Sequence, residues 1–177
     1  ILDVTSAILP QRMLEWHYRS RDERLIALSN SHIYKGALTT FPGSMTESPI
    51  HWRYIDHTPN TDGETRSNTA EVNEVVDLVL DHAEQYLADS HDANIDEGID
   101  QETLGVIAFG QHHATAIENE LYSRLKTLRN SRLDDFFDSE RPEPFFVKNL
   151  ERVQGDERDC IILSVGYGKN SNGIVPQ

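Results

Sequence analysis

Phe145-Phe146-Val147-Lys148-Asn149-Leu150-Glu151-Arg152-Val153-Gln154-Gly155-Asp156-Glu157-Arg158-Asp159-Cys160-Ile161-Ile162-Leu163-Ser164-Val165 reads as an apolar strand, a polar turn and a second apolar strand. Short apolar runs rich in β-branched residues and bounded by polar turns suit strands buried on both faces of a parallel sheet. The turn between them is expected to surface at a sheet edge, where open α/β folds bind ligands. Gly155 lets backbone approach a ligand closely, and Glu157 offers a carboxylate that can accept from hydroxyls. A solvated turn with a helix cap is the other reading of the same residues, and both stay open at this point.

Working outward, Leu104-Gly105-Val106-Ile107-Ala108-Phe109 is a further buried strand. The helix after it carries Ala114, Ile117, Leu121, Leu125 and Leu128 on one stripe. Upstream, Asn68 followed by Glu71 resembles a capping box and marks a helix start. Val72, Val75, Val76, Val79, Ala83, Tyr86 and Leu87 then recur at three- and four-residue spacing. Ile50-His51-Trp52-Arg53-Tyr54-Ile55 alternates imperfectly and reads as a strand near an edge. Residues 1–9 read as a short helix ended by Pro10, and residues 14–18 as an extended segment. Residues 21–34 read as a helix offering Leu25, Ile26, Leu28 and Ile33 to a core. Residues 89–103 form an acidic loop, and residues 130–144 a polar, Pro-containing surface excursion. Strands alternating with helices argue for an α/β fold, a mostly parallel sheet flanked by helices.

Composition bounds the function. The 177 residues, 37% hydrophobic and 26% charged, suit a single domain with a substantial core. No run of about 18 apolar residues is present, so no membrane span is expected. The single Cys160 has no intrachain partner and fits a reducing, cytoplasmic setting. Inside an apolar strand without a basic neighbour, its thiol is a poor nucleophile. The net charge of −14 argues against tight, autonomous nucleic-acid binding, which usually takes a basic surface. His112 and His113 are adjacent, and neighbours on a helix face different ways, so they do not grip one ion; no metal site is expected.

Three blocks, in order, carry a resemblance: Leu14-Glu15-Trp16-His17-Tyr18-Arg19-Ser20, then Leu104-Gly105-Val106-Ile107-Ala108-Phe109-Gly110-Gln111, then Val153-Gln154-Gly155-Asp156-Glu157 running into Ile161-Ile162-Leu163-Ser164. Together they resemble the second RecA-like motor domain of superfamily 1 DNA/RNA helicases, nearest the Upf-like branch. The first block is similar to helicase motif IV, the second to the strand and helix start between motifs IV and V, and the third to motif V. Each alone is short; their order and spacing, over nearly the whole chain, make the combination specific. The resemblance implies a RecA-like, P-loop NTPase-type α/β domain over residues 1–177, ending before motif VI. It also implies an ATP site shared with a first motor domain.

By that resemblance Tyr18 stacks on adenine, a contact an aromatic plane supplies. Arg19 reaches the γ-phosphate as the catalytic residue, where a guanidinium can donate two hydrogen bonds. Gly155 brings backbone N–H to the phosphates, Glu157 accepts from a ribose hydroxyl, and Gln154 fixes the turn. Asn149, Phe109, Gly110 and Gln111 fall on the implied track for single-stranded DNA or RNA. Asn149 departs from the Thr that family members often carry there, though an amide can still donate to phosphate. Packing alone is the other reading of Tyr18 and Phe109, and an ion pair with Asp22 or Glu23 that of Arg19.

No Gly-x-x-x-x-Gly-Lys-Ser/Thr loop and no Walker B pair occur in the sequence. Mg²⁺ therefore arrives with ATP, held mainly by the first motor domain, and this chain alone is expected not to hydrolyse ATP. An inactive RecA-like protein-interaction module is the alternative. A metal-dependent nuclease using the acidic loop ranks behind both, for want of a compact carboxylate–lysine constellation.

Overall fold

The computed structural model describes residues 12–44, 46–55, 67–92 and 102–167. The chain divides into two compact units, Ile1–Tyr54 and Ile55–Gln177.

The first unit is built around one helix, α1 (Arg24–His32). Asp22, 2% exposed, accepts from the Arg24 backbone N–H at 2.9 Å and from its guanidinium at 2.8 and 2.6 Å. Hydrogen bonds from the Arg24 side chain and then its backbone hold the Asp22 carboxyl at a pKa of about 2. Gly43 lies against this carboxylate; a Cβ there would come within 2.5 Å of Asp22 Oδ2. Before α1 a parallel bridge joins Trp16 to Thr39, and the chain then bends into the helix. Of the apolar residues expected to face a core, Leu25 is 47%, Leu28 72% and Ile33 70% exposed; Ile26 is half-buried, and α1 buries no residue fully. Residues 50–55 form no strand, and Ile50, Trp52 and Tyr54 are exposed. Their alternation has no ladder to join among the described residues. The helix read over residues 1–9 lies outside them.

The second unit holds the core. Its helices are α2 (Thr69–Asp92), α3 (Gln111–Leu128) and α4 (Ser131–Phe136), and its strands β1 (Leu104–Ala108), β2 (Phe146–Asn149) and β3 (Cys160–Ser164). The sheet is wholly parallel in the order β2-β1-β3, so β1 enters between the strands of the decisive stretch. Val106 lies opposite Val147 on one side and Ile162 on the other. Side chains in such a row share a face, which puts Leu104, Val106 and Ala108 with Val147 and Ile162 toward α2 and α3. The valines of α2 meet them: Val72, Val75, Val76 and Val79 are all at most 5% exposed. Arg124 of α3 ties the helix pair together, donating to Glu120 at 2.8 Å, to Asn73 at 3.0 Å and to Asp77.

Three expectations are corrected by this architecture. β3 is covered on one face only, since Ile161 and Leu163 are 40% and 58% exposed; the helices of this unit pack on the other face. Residues 130–144 are not all surface, because α4 inserts Leu133 and Phe136, 1% and 3% exposed, into the core. The helix before the acidic loop runs on to Asp92, so the loop begins later than residue 89.

Candidate functional site

Tyr18 and Arg19 occupy a bend before α1. The His17 ring closes it: Nε2 accepts from the Ser20 backbone N–H at 3.3 Å and from its hydroxyl at 2.8 Å. On the other side His17 N–H donates to Thr39 O at 2.9 Å and Thr39 N–H to Glu15 O at 2.6 Å. Both flanks are therefore fixed while Tyr18 stands 88% exposed. Arg19 is exposed as well. An aromatic face held on a pinned bend is a suitable stacking platform.

The turn after β2 folds back over the face of the sheet opposite the helices. Phe146 and Lys148 project there, two residues apart on one strand. Lys148 pairs with Asp156 at 2.6 Å. Arg158 donates to Pro144 O at 2.7 Å and to Glu157 O at 2.6 Å. Lys148 and Arg158 both stack on the Phe146 ring, at 4.8 and 4.9 Å from its centroid. The ring needs Gly105 beneath it, where a Cβ would come within 2.6 Å. Gly155, at φ +91°, and Glu157 then line an open cleft of ≈ 520 Å³ with Phe146, Lys148 and Arg158. Gln154 is exposed on the same turn. The turn thus lies along β2 rather than out at the carboxyl edge of the sheet, because Arg158 is drawn to Phe146 and to the carbonyl that precedes β2 while Asp156 is drawn to Lys148.

At the carboxyl edge the structure brings Asn149, Phe109, Gly110 and Gln111 together. Ala108 and Asn149 are register partners. Leu150 N–H donates to Ala108 O at 3.1 Å, and Phe109 N–H to Ser164 O at 3.1 Å. Gly110 is the N-cap of α3 with no side chain capping it, and Gln111 is its first residue, exposed. Phe109 is 40% exposed. Asn149 is 6% exposed, and its Oδ1 has no hydrogen-bond partner among the described residues. A buried amide oxygen without a partner and a helix start that no side chain caps are polar capacity that the described residues do not use.

Behind that edge lies a network that residue patterns did not reveal. Asn68 caps α2 as expected, its Oδ1 accepting from Ala70 N–H at 3.0 Å and Glu71 N–H at 3.4 Å. The Glu71 side chain is directed elsewhere: Oε1 accepts from the Ser164 hydroxyl at 2.6 Å and the Gly166 N–H at 2.9 Å. Since Ser164 gives its proton to Glu71, it accepts from His113 Nε2–H at 2.8 Å, and Ser67 Oγ meets His113 Nδ1 at 2.8 Å. Burial works to raise the Glu71 pKa; the His113 ring, its Nε2 3.7 Å away, and hydrogen bonds from Ser164 and Gly166 outweigh it and lower the value to about 2. Gly166 is required twice over, by its φ of +71° and by the His113 ring 2.5 Å from where a Cβ would stand. The Asn–x–x–Glu spacing revealed the cap, but nothing local could show that Glu71 reaches residues more than ninety positions away.

Among the described residues no group of three or more His, Cys, Asp or Glu side chains could hold a metal ion, and no helix is long and apolar enough to cross a membrane.

A parallel sheet packed against helices, with the helix after its central strand starting at the carboxyl edge, is the α/β architecture of RecA-like domains. The chain matches the model of the AAA_12 family, an AAA domain, over residues 4–174. It belongs to that family, the C-terminal helicase domain of superfamily 1 Upf-like helicases. It is similar to two curated proteins described as uncharacterized ATP-dependent helicases. One is from Mycoplasma pneumoniae, 33% identical over 168 residues, and one from Mycoplasma genitalium, 34% identical over 166. Each similarity covers 93% of this chain but 14% of the relative. No solved structure matches significantly.

Proposed function

We propose that this chain is the second RecA-like motor domain of an ATP-dependent superfamily 1 helicase or translocase. It supplies one half of an ATP site and part of a track for single-stranded DNA or RNA. The observation that carries this reading is the family match over residues 4–174, which takes in both units, supported by two relatives described as ATP-dependent helicases.

In this reading Tyr18 stacks on the adenine, and Arg19 places its guanidinium on the γ-phosphate, where charge develops during transfer. Gly155 presents backbone N–H, Glu157 accepts from the ribose, and Gln154 steadies the turn between strands. Asn149, Phe109, Gly110 and Gln111 meet the nucleic-acid strand, the amide and the α3 N-terminus at phosphate and the Phe109 ring at a base. The P-loop, and the carboxylates that hold Mg²⁺ with the triphosphate, come from a first motor domain in the same full-length protein. Closure of that domain on this one sequesters ATP, and successive cycles step the pair along the strand.

Steady-state ATP turnover by the full-length protein tests the assignment. Arg19→Ala is expected to lower kcat by about a thousandfold, the scale on which an arginine aimed at a transferring phosphoryl group acts. Tyr18→Ala raises KM for ATP with a smaller change in kcat. Full activity in both variants would reject the site.

A further inference from the structure

Burying a carboxylate and an imidazole is costly, and apolar residues of similar volume at such positions are often as stable or more so. Glu71 is nevertheless 15% exposed and His113 1% exposed at the side chain, joined through Ser164, with Ser67 at the other ring nitrogen of His113. The network spans the start of α2, the first turn of α3, the end of β3 and the turn that follows it. Those are the elements that surround residues 109–111. Phe109 N–H is held by Ser164 O at 3.1 Å. Tyr167, one residue beyond the Gly166 that Glu71 grips, brings its hydroxyl within 3.1 Å of where a Cβ on Gly110 would be. His113 lies on the same helical turn as Gln111.

We propose that Glu71, Ser164 and His113 are positioning residues for the nucleic-acid contact, locking the turn after β3 to the start of α3 so that Phe109, Gly110 and Gln111 hold one geometry. The inference rests on the single-strand track proposed above. The network works through neighbours and touches no ligand. Nδ1 of His113 faces a hydroxyl that can turn to donate or accept, so the chain of bonds stays intact with the ring neutral or charged. What it does require is one donor toward Ser164 and a partner for Ser67. A glutamine amide meets both needs; leucine meets neither.

The test uses the full-length protein with fluorescent oligodeoxythymidylate and oligouridylate, read by anisotropy beside thermal melting. Glu71→Ala, Ser164→Ala and His113→Leu are expected to weaken strand binding by about tenfold, the loss of one hydrogen bond to a charged group. His113→Gln should bind within about twofold of wild type, and the KM for ATP should be the same in all four. Leu121→Ala, a core truncation at a residue 2% exposed, should lower the melting temperature without weakening binding. Equal weakening by Leu121→Ala, or wild-type binding by Glu71→Ala and His113→Leu, overturns the proposal. Wild-type protein that binds neither strand overturns the nucleic-acid reading along with it, whereas intact wild-type binding with unaffected variants overturns this inference alone.

Discussion

Glu71 stands where two demands on one residue meet. In the first turn of α2 a carboxylate is favoured by the helix dipole, yet its side chain leaves the helix surface to hold the end of β3. With its folded pKa lowered from 4.5 to about 2, the stability it contributes is fully present above pH 4.5. That stability is lost as pH falls from there toward 2, because the unfolded state takes up the proton first. Glu71→Gln is therefore expected to flatten the acid limb of stability against pH in that window, measured by urea unfolding. An unchanged acid limb would show that the charge is not held as described. Gly166→Ala tests the other end of the network. Positive φ and the His113 ring both oppose a Cβ, so a loss of about 1–3 kcal/mol is expected by denaturant unfolding. At this scale the sequence was partly legible: Asn68 as a cap followed from its spacing to Glu71. The destination of the Glu71 carboxylate did not, because it depends on tertiary approach.

The elements divide by how much of their pattern is local. α2 and α3 were readable because their valines and leucines recur at helical spacing along long segments, and most expected positions are buried. Leu80 joins the core without having been expected, Leu128 is 49% exposed, and the side chains of Tyr86 and Leu87 lie outside those described. α4 was not, since six residues among charges and prolines carry too little periodicity. Leu133 and Phe136, three apart, were its only trace. The apolar residues of α1 and of residues 50–55 misled for the opposite reason: an apolar pattern states what a surface could bury, while burial depends on what arrives to cover it. β1 offers a direct check on packing. Gly105→Ala would drive a methyl into the Phe146 ring, and overpacking of this kind typically costs about 1–3 kcal/mol. The same variant should displace the Lys148 and Arg158 side chains stacked on that ring, visible as shifted Phe146 ring resonances. An unperturbed ring and unchanged stability would contradict the close packing of Phe146 on Gly105.

For the molecule as a whole, the net charge of −14 and the absence of a phosphate cradle set the division of labour. A chain so acidic gains little from bulk attraction to phosphate, so in the proposed function specific contacts at the carboxyl edge, not a basic surface, hold the strand. The family was legible in the sequence, because Tyr18-Arg19-Ser20 and Gln154-Gly155-Asp156-Glu157, which carry the resemblance, are contiguous. The placement of the second of these across the bare face of the sheet was not, because it is set by Phe146, Lys148 and Arg158 acting together. The most direct measurement is ATP turnover by the full-length protein, with and without single-stranded DNA or RNA, in wild type and Arg19→Ala. The account predicts hydrolysis that rises when strand is added and is lost in Arg19→Ala. Turnover that ignores the strand and survives the loss of Arg19 would contradict it.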